Sequence, residues 1–249
     1  MKIWLSAVLF FSASIAQADD FAETKSKIEA AMKADIRTEK EVKRDKNRMP
    51  VQTLEFFGLR DEMTIVELIP GGGWYTKLLA PVVSDEGKYY GAFGTSRIKK
   101  NVLTQDGFEK AKLLAEDAKL YRKEGARFYT LEDASLGVKN VDMVLTFRNY
   151  HNFNDEGRAA MNKAAFDALK SGGVYAVVDH TARHMEGPSD ANRRRFDPVK
   201  AIVEIQAAGF ELVDYSDLHY REDDELEYEV GARSVTGNTD RWTLKFIKP

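Results

Sequence analysis

Between Thr64 and Tyr75 the chain runs Thr-Ile-Val-Glu-Leu-Ile-Pro-Gly-Gly-Gly-Trp-Tyr, an apolar run that fits a buried strand, then three glycines, then the start of a helical segment. A strand buried on both faces needs helices on both, which favours a parallel sheet. A glycine turn from strand to helix also exposes backbone amides where no Cβ keeps a ligand away. The same alternation continues along the chain. Strands are expected over 64–69, 88–93, 126–129, 141–147, 174–179, 210–218 and 241–247, with helices over 74–83, 108–120, 155–170 and 198–208. Met161, Ala165 and Leu169 recur every four residues in the third helix, and Gly172-Gly173 supplies a left-handed stop. The polar stretch 221–239 shows no helical pattern, so the last strand is expected antiparallel, because a parallel one needs a crossover. The pattern predicts an α/β fold: a Rossmann-like, seven-stranded, mostly parallel sheet with an antiparallel last strand and helices on both faces.

Ahead of the sheet, residues 21–48 mix charges closely, while Ile28, Met32 and Ile36 fall four apart and make one narrow apolar helical face. This predicts an N-terminal helical arm over residues 19–49. Pro50 opens a further helical piece through Phe57, stopped by Gly58, at the start of a main domain over 50–249. Lys2, the apolar run 3–11 and Ala16-Gln17-Ala18 have the form of a cleaved secretory signal over residues 1–18. The mature chain would start at Asp19, in the periplasm or outside. The apolar run is shorter than the roughly 20 residues that span a bilayer, so no stable membrane insertion is expected after cleavage.

Composition excludes several functions. With no cysteine there is no disulfide, thiolate nucleophile or Cys-bound metal cluster. A formal charge of −3 gives no summed field toward nucleic acid or an anionic membrane. A dinucleotide site would need a third glycine where Thr76 stands and an acid after the second strand, which ends Ala92-Phe93-Gly94.

From Glu67-Leu68-Ile69-Pro70-Gly71-Gly72-Gly73, Glu132-Asp133, the 142–152 segment with its Phe147-Arg148-Asn149-Tyr150-His151-Asn152, and the Gly-Gly turn into Val177-Val178-Asp179-His180, the chain resembles class I S-adenosylmethionine-dependent methyltransferases over about residues 50–249. The combination is most similar to a bacterial subgroup of predicted methyltransferases, often with export signals. The resemblance implies S-adenosylmethionine as cofactor, with Glu67, Gly71, Gly72 and Gly73 beside its methionine and ribose and Asp133 at its adenine amine. It implies methyl transfer to a small-molecule acceptor. The family's first loop glycine is Ile69 here, and its acid after the second strand is absent, which leaves Glu67 and the loop backbone as the main anchors.

His151 and His180 fall just past the fourth and fifth strands, where open α/β sheets hold ligands. Either could take a proton from an acceptor oxygen or nitrogen. Asn149 could orient the acceptor, Tyr150 could wall the methyl path, and Arg148 could meet a carboxylate. Alternatively, Asp179, His180 and His184 could serve a metal-dependent hydrolase, although no His-Glu-x-x-His pattern is present and no metal is expected. A non-catalytic binding protein with the same fold is a further alternative. Arg193-Arg194-Arg195 and the acidic run 222–225 read as solvated loops.

Overall fold

The computed structural model describes residues 21–249; the expected leader and its cleavage after Ala18 lie outside the described residues. Among the described residues four helices come first: α1 (Ala22–Met32), α2 (Glu39–Val42), α3 (Asp45–Arg48) and α4 (Pro50–Phe57). Thr38 and Glu41 form a reciprocal cap at the start of α2, and Gly58 ends α4 in the left-handed conformation. Then follow β1 (Thr64–Leu68), α5 (Thr76–Val82), β2 (Lys88–Ala92), α6 (Ser96–Asn101), β3 (Lys112–Leu114), β4 (Lys119–Tyr121), β5 (Thr130–Glu132) and β6 (Val141–Phe147). The chain closes with α7 (Asp155–Ala168), β7 (Leu169–His180), α8 (Pro198–Ala207), β8 (Glu211–Ser216) and β9 (Arg241–Ile247).

Seven strands form one sheet in the order β3-β2-β1-β6-β7-β9-β8. Neighbours from β3 to β7 pair in parallel, and β9 runs antiparallel to both β7 and β8. Alternation along the central strands divides the core. Val66, Val144, Tyr175 and Val177 pack toward Met161 and Ala165 of α7 and Ala201 and Ile205 of α8. Ile65, Met143, Leu145, Ala176 and Val178 pack toward Ile28, Leu54, Leu78 and Ile98 on the other face. Among the described residues no helix is long and apolar enough to cross a membrane.

The structure corrects the expected path around the third strand. Residues 108–120, rich in helix formers, hold β3 and the start of β4 instead, and 126–129 is no strand. Lys112, Leu113 and Leu114 pair with Tyr90, Gly91 and Ala92, covering the outer edge of β2. The peptide groups along that edge need partners, and this outweighs helix propensities of a few tenths of a kcal/mol per residue. β4 and β5 form a separate two-stranded ribbon. Likewise α7 ends at Ala168, and the chain enters β7 directly, with Gly172 at φ +74 inside the strand's irregular start.

At the carboxyl edge of the sheet, the residue after β1 (Ile69, φ 54), after β2 (Phe93, φ 60) and after β6 (Arg148, φ 63) is left-handed. None is glycine, and a β-branched residue is poorly suited to this region. Gly73, at φ +84, is different: a Cβ there would lie 2.8 Å from Val102 Cγ2 and 3.0 Å from Ile98 Cγ2, whereas Gly71, at φ +58, has nothing within 4 Å. Gly73 thus lets the glycine turn close onto α6. It follows that Gly71→Ala should lower the unfolding free energy by about 1–2 kcal/mol through strain alone, and Gly73→Ala by about 1–3 kcal/mol more through overpacking. Urea unfolding of the two variants measures the gap; equal losses would mean that Gly73 does not meet α6.

Candidate functional site

A cavity of about 400 Å³ opens against the glycine turn, between Glu67, Gly71, Gly72 and Tyr75 on one side and Phe147, Arg148 and Asn149 on the other. Glu67 stands at the end of β1, 3% exposed. Its Oε2 accepts from the Thr76 and Tyr89 hydroxyls, both at 2.7 Å, while Oε1 has no hydrogen-bond partner among the described residues. Burial pushes its pKa up to about 7, against the lowering effect of the Tyr89 and Thr76 hydrogen bonds and the Arg48 charge. A carboxylate oxygen thus remains for a ligand's amine or hydroxyl. Asn149 donates to Ile69 O at 3.1 Å and Leu68 O at 3.4 Å, so it ties the loop after β6 to the end of β1.

The arm forms the remaining wall, with Glu41, Arg44 and Arg48 lining the cavity. Trp74 fixes it there: Arg37 and Arg48 both lie over its ring, at 5.0 and 4.2 Å, and its Nε1 donates to Glu41 O at 3.0 Å. Tyr75 stacks on Phe147 with ring centroids 3.5 Å apart. Burial lowers the pKa of Arg48 to about 9, and the charges of Arg148, Arg44 and Arg241 add to the effect.

A second cavity of about 690 Å³ lies over the amino ends of α7 and α8. Phe128, Met185, Phe196, Val199 and Val203 supply apolar wall, and His151 lines it. His151 Nδ1 is 2.6 Å from Asp179 Oδ1, and the amides of His151 and His180 also donate to Asp179, at 2.9 and 2.7 Å. This bond directs the Nδ1 proton to Asp179 and leaves Nε2 as the acceptor, with no partner among the described residues. The arrangement can take a proton from a ligand hydroxyl or amine.

The other expected site residues are placed differently. Tyr150 is fully buried, its hydroxyl bonded to Glu204 at 3.0 Å and to Asn162 at 2.9 Å, and its ring lies edge-on to Phe196 and Trp242; it belongs to the core and lines neither of these cavities. Both nitrogens of His180 are engaged, Nδ1 with the Thr239 hydroxyl at 2.8 Å and Nε2 with Arg148 Nε at 3.2 Å. Burial, with Arg241 and Arg148 beside it, holds its pKa well below the usual histidine value, so it positions Arg148 and offers no base. Asp133 is exposed beyond β5, at φ 54, and pairs with Lys119 at 2.9 Å. Asp179, His180 and His184 do not converge: His184 is exposed and bonds Asp197 at 3.0 Å, and no group of three metal-ligating side chains occurs among the described residues. The hydrolase alternative therefore lacks its ligand set.

Sequence reasoning missed Arg44, Arg48 and Arg97, which line the glycine-loop cavity, and the Tyr89 and Thr76 hydroxyls on Glu67. The one available signal was Trp74 beside the glycines, an aromatic face suited to an arginine.

No protein-family model and no curated protein matches the sequence. Solved structures do resemble the fold. An S-adenosylmethionine-dependent methyltransferase from Aquifex aeolicus shares 14% identity at a TM-score of 0.57, covering 90% of this chain and 98% of its own. A TehB-like S-adenosylmethionine-dependent methyltransferase from Corynebacterium glutamicum shares 11% identity at a TM-score of 0.51, covering 94% of this chain and 100% of its own. The (4+2)-cyclase SpnF shares 13% identity at a TM-score of 0.56, covering 94% of this chain and 96% of its own. The chain therefore has the methyltransferase-like Rossmann fold.

The raised pKa of Glu67 sets a pH dependence. The folded chain keeps this proton up to about pH 7 and the unfolded chain loses it near 4.5, so stability falls as pH rises between the two. At 1.36 kcal/mol per pH unit the loss reaches about 3 kcal/mol. Urea unfolding at pH 5 and pH 7 should show the loss in the natural protein, and Glu67→Gln should flatten it; an unchanged slope would place the titration elsewhere.

Proposed function

We propose that the chain binds S-adenosylmethionine at the glycine turn and transfers its methyl group to a small-molecule acceptor. One observation carries the reading: Ile69, Gly71 and Gly73 all have positive φ, so the backbone follows a glycine-loop course even where the first position is a β-branched residue. Strain kept at a cavity wall points to a ligand the backbone must accommodate. The residues present suit this group. Gly71 faces open space, and Gly72 needs no special φ; a Cβ on it would reach the tip of Arg97 at 3.2 Å. Glu67 Oε1 is the acceptor for the cofactor's ammonium or ribose hydroxyls and Arg148 a partner for its carboxylate; Asp133, paired with Lys119 and absent from the cavity wall, is not among them.

When bound, the cofactor supplies an electrophilic methyl group on sulfur. The chain's part is alignment of the acceptor and removal of its proton. Arg148 and His151 stand at the two ends of one four-residue loop, each on a different cavity. An acceptor bound over that loop reaches His151 Nε2, which takes the proton while Asp179 stabilises the ring's charge. Asn149 acts indirectly, by fixing the loop to β1.

Calorimetry of the full chain with S-adenosylmethionine and S-adenosylhomocysteine tests the binding step, and transfer of a labelled methyl group into a small-molecule extract tests turnover. Both cofactor forms should bind, and Gly72→Leu, which fills the cavity without demanding an unusual φ, should weaken both at least tenfold. His151→Gln should keep cofactor affinity and lower turnover by about 10²–10⁴. No binding at millimolar cofactor would reject the reading. Binding without transfer to any acceptor would leave a binding protein with this fold.

The Lys2-led apolar run and Ala16-Gln17-Ala18 support export of the same chain. Intact mass of protein from the cell envelope should match a chain that begins at Asp19; a full-length chain in the cytosol would overturn it.

A further inference from the structure

Guanidinium groups outnumber carboxylates around the glycine-loop cavity: Arg44, Arg48, Arg97 and Arg148 line it, with Glu41 and Glu67. Arg48 lines the cavity, is 8% exposed, and lies over the rings of Trp74 at 4.2 Å and Tyr75 at 5.8 Å; among the described residues its Nε has no partner. Arg148 lines the same cavity and engages one nitrogen, on His180. Arg241, 4% exposed, gives Nη1 to Asn47 O at 2.7 Å, and its Nε has no partner among the described residues. Arg44 and Arg97 add two further charges to the wall. The acids nearby answer them only in part: Glu67 feels the charge of Arg48 and Asp179 that of Arg148, but among the described residues neither forms an ion pair with them. Glu41 is held by Lys77 at 2.9 Å, Asp179 by His151 and two amides, and Glu67 by two hydroxyls deep in the core. Buried charge without counter-charge is destabilising, and a buried donor without a partner commonly marks a missing ion or ligand.

The proposed cofactor does not relieve this excess. Its carboxylate is cancelled by its own ammonium group, and its sulfonium adds one more positive charge. We propose that the acceptor is an anion, a small molecule whose carboxylate or phosphate lies against Arg48 and Arg44 and whose charge makes room for the sulfonium. This rests on the function proposed above. It also makes the order of events electrostatic: cofactor and acceptor each strengthen the other's binding, by the same factor.

S-adenosylmethionine and S-adenosylhomocysteine differ by one methyl group and the charge on sulfur, so together they isolate that coupling. Calorimetry of the full chain with each, with and without inorganic phosphate or malonate at constant ionic strength, should show the anion raising S-adenosylmethionine affinity about tenfold and S-adenosylhomocysteine affinity far less. A response to malonate alone identifies a carboxylate acceptor, and a response to phosphate alone a phosphate ester. Arg48→Met should remove the coupling while a melting curve shows the fold intact. If that variant does not fold, Arg44→Gln, at a half-buried position of the same wall, should weaken the coupling. The inference is overturned if neither anion binds at about 20 mM, if both cofactor forms respond equally, or if the coupling survives in the folded variants. Anion binding that depends on Arg48, in a protein that takes up neither cofactor form, would sustain the anion site and reject the methyltransferase reading. Cofactor binding with no anion effect would do the reverse.

Discussion

Asp179 has no exposed surface, and it receives three hydrogen bonds at once, from the amides of His151 and His180 and from the ring of His151. Hydrogen bonds to a carboxylate are about twice as strong as neutral ones, and here all three converge on one side chain at the carboxyl ends of β6 and β7. The loop after β6 is thereby held against the end of β7. From that anchor the positions of the remaining groups follow: Arg148 reaches His180, Asn149 reaches β1, and His151 faces the larger cavity with one nitrogen unoccupied. Remove the carboxylate and the loop loses its registration with both neighbouring strands.

The second constraint comes from the arm. The sheet supplies only part of the smaller cavity, and Trp74 draws the arm in by offering its ring to Arg37 and Arg48 and its nitrogen to Glu41 O. Arg37 is answered by Asp45, at 2.5 Å, whereas among the described residues Arg48 forms no ion pair and feels only the charge of the buried Glu67. An unpaired guanidinium is tolerable over an aromatic face, and it becomes useful where a ligand brings negative charge. The same contact that packs the arm therefore gives the cavity its sign.

Fold and reaction have to be argued apart. The solved structures of similar shape include two methyltransferases and a cyclase, so the shape alone does not name the chemistry. The functional reading depends instead on local facts: the strained left-handed Ile69, the unoccupied Oε1 of Glu67 at the end of β1, and the imidazole held by Asp179.

By itself the sequence determined the elements whose signal is local. Apolar alternation marks β1, β2, β6, β7 and β9, three glycines mark the turn after β1, and the helix-free stretch before Arg241 implies an antiparallel last strand. It also brought His151 and His180 to the carboxyl edge of the sheet, since that follows from where the strands end. What only the tertiary structure decided are matters of partnership. Lys112 to Leu114 became a strand because the edge of β2 needed covering, and Gly73 is glycine because Ile98 and Val102 close onto it. Tyr150 turned into the core through Glu204 and Asn162, and His180 lost its role as a base to Thr239 and Arg148. Arg48, read from the sequence as one charge among many on a mixed helix, became the wall of a cavity. Periodicity tells which face of an element is buried, but a residue's partner across the fold is set by packing between distant segments, and no local pattern encodes it.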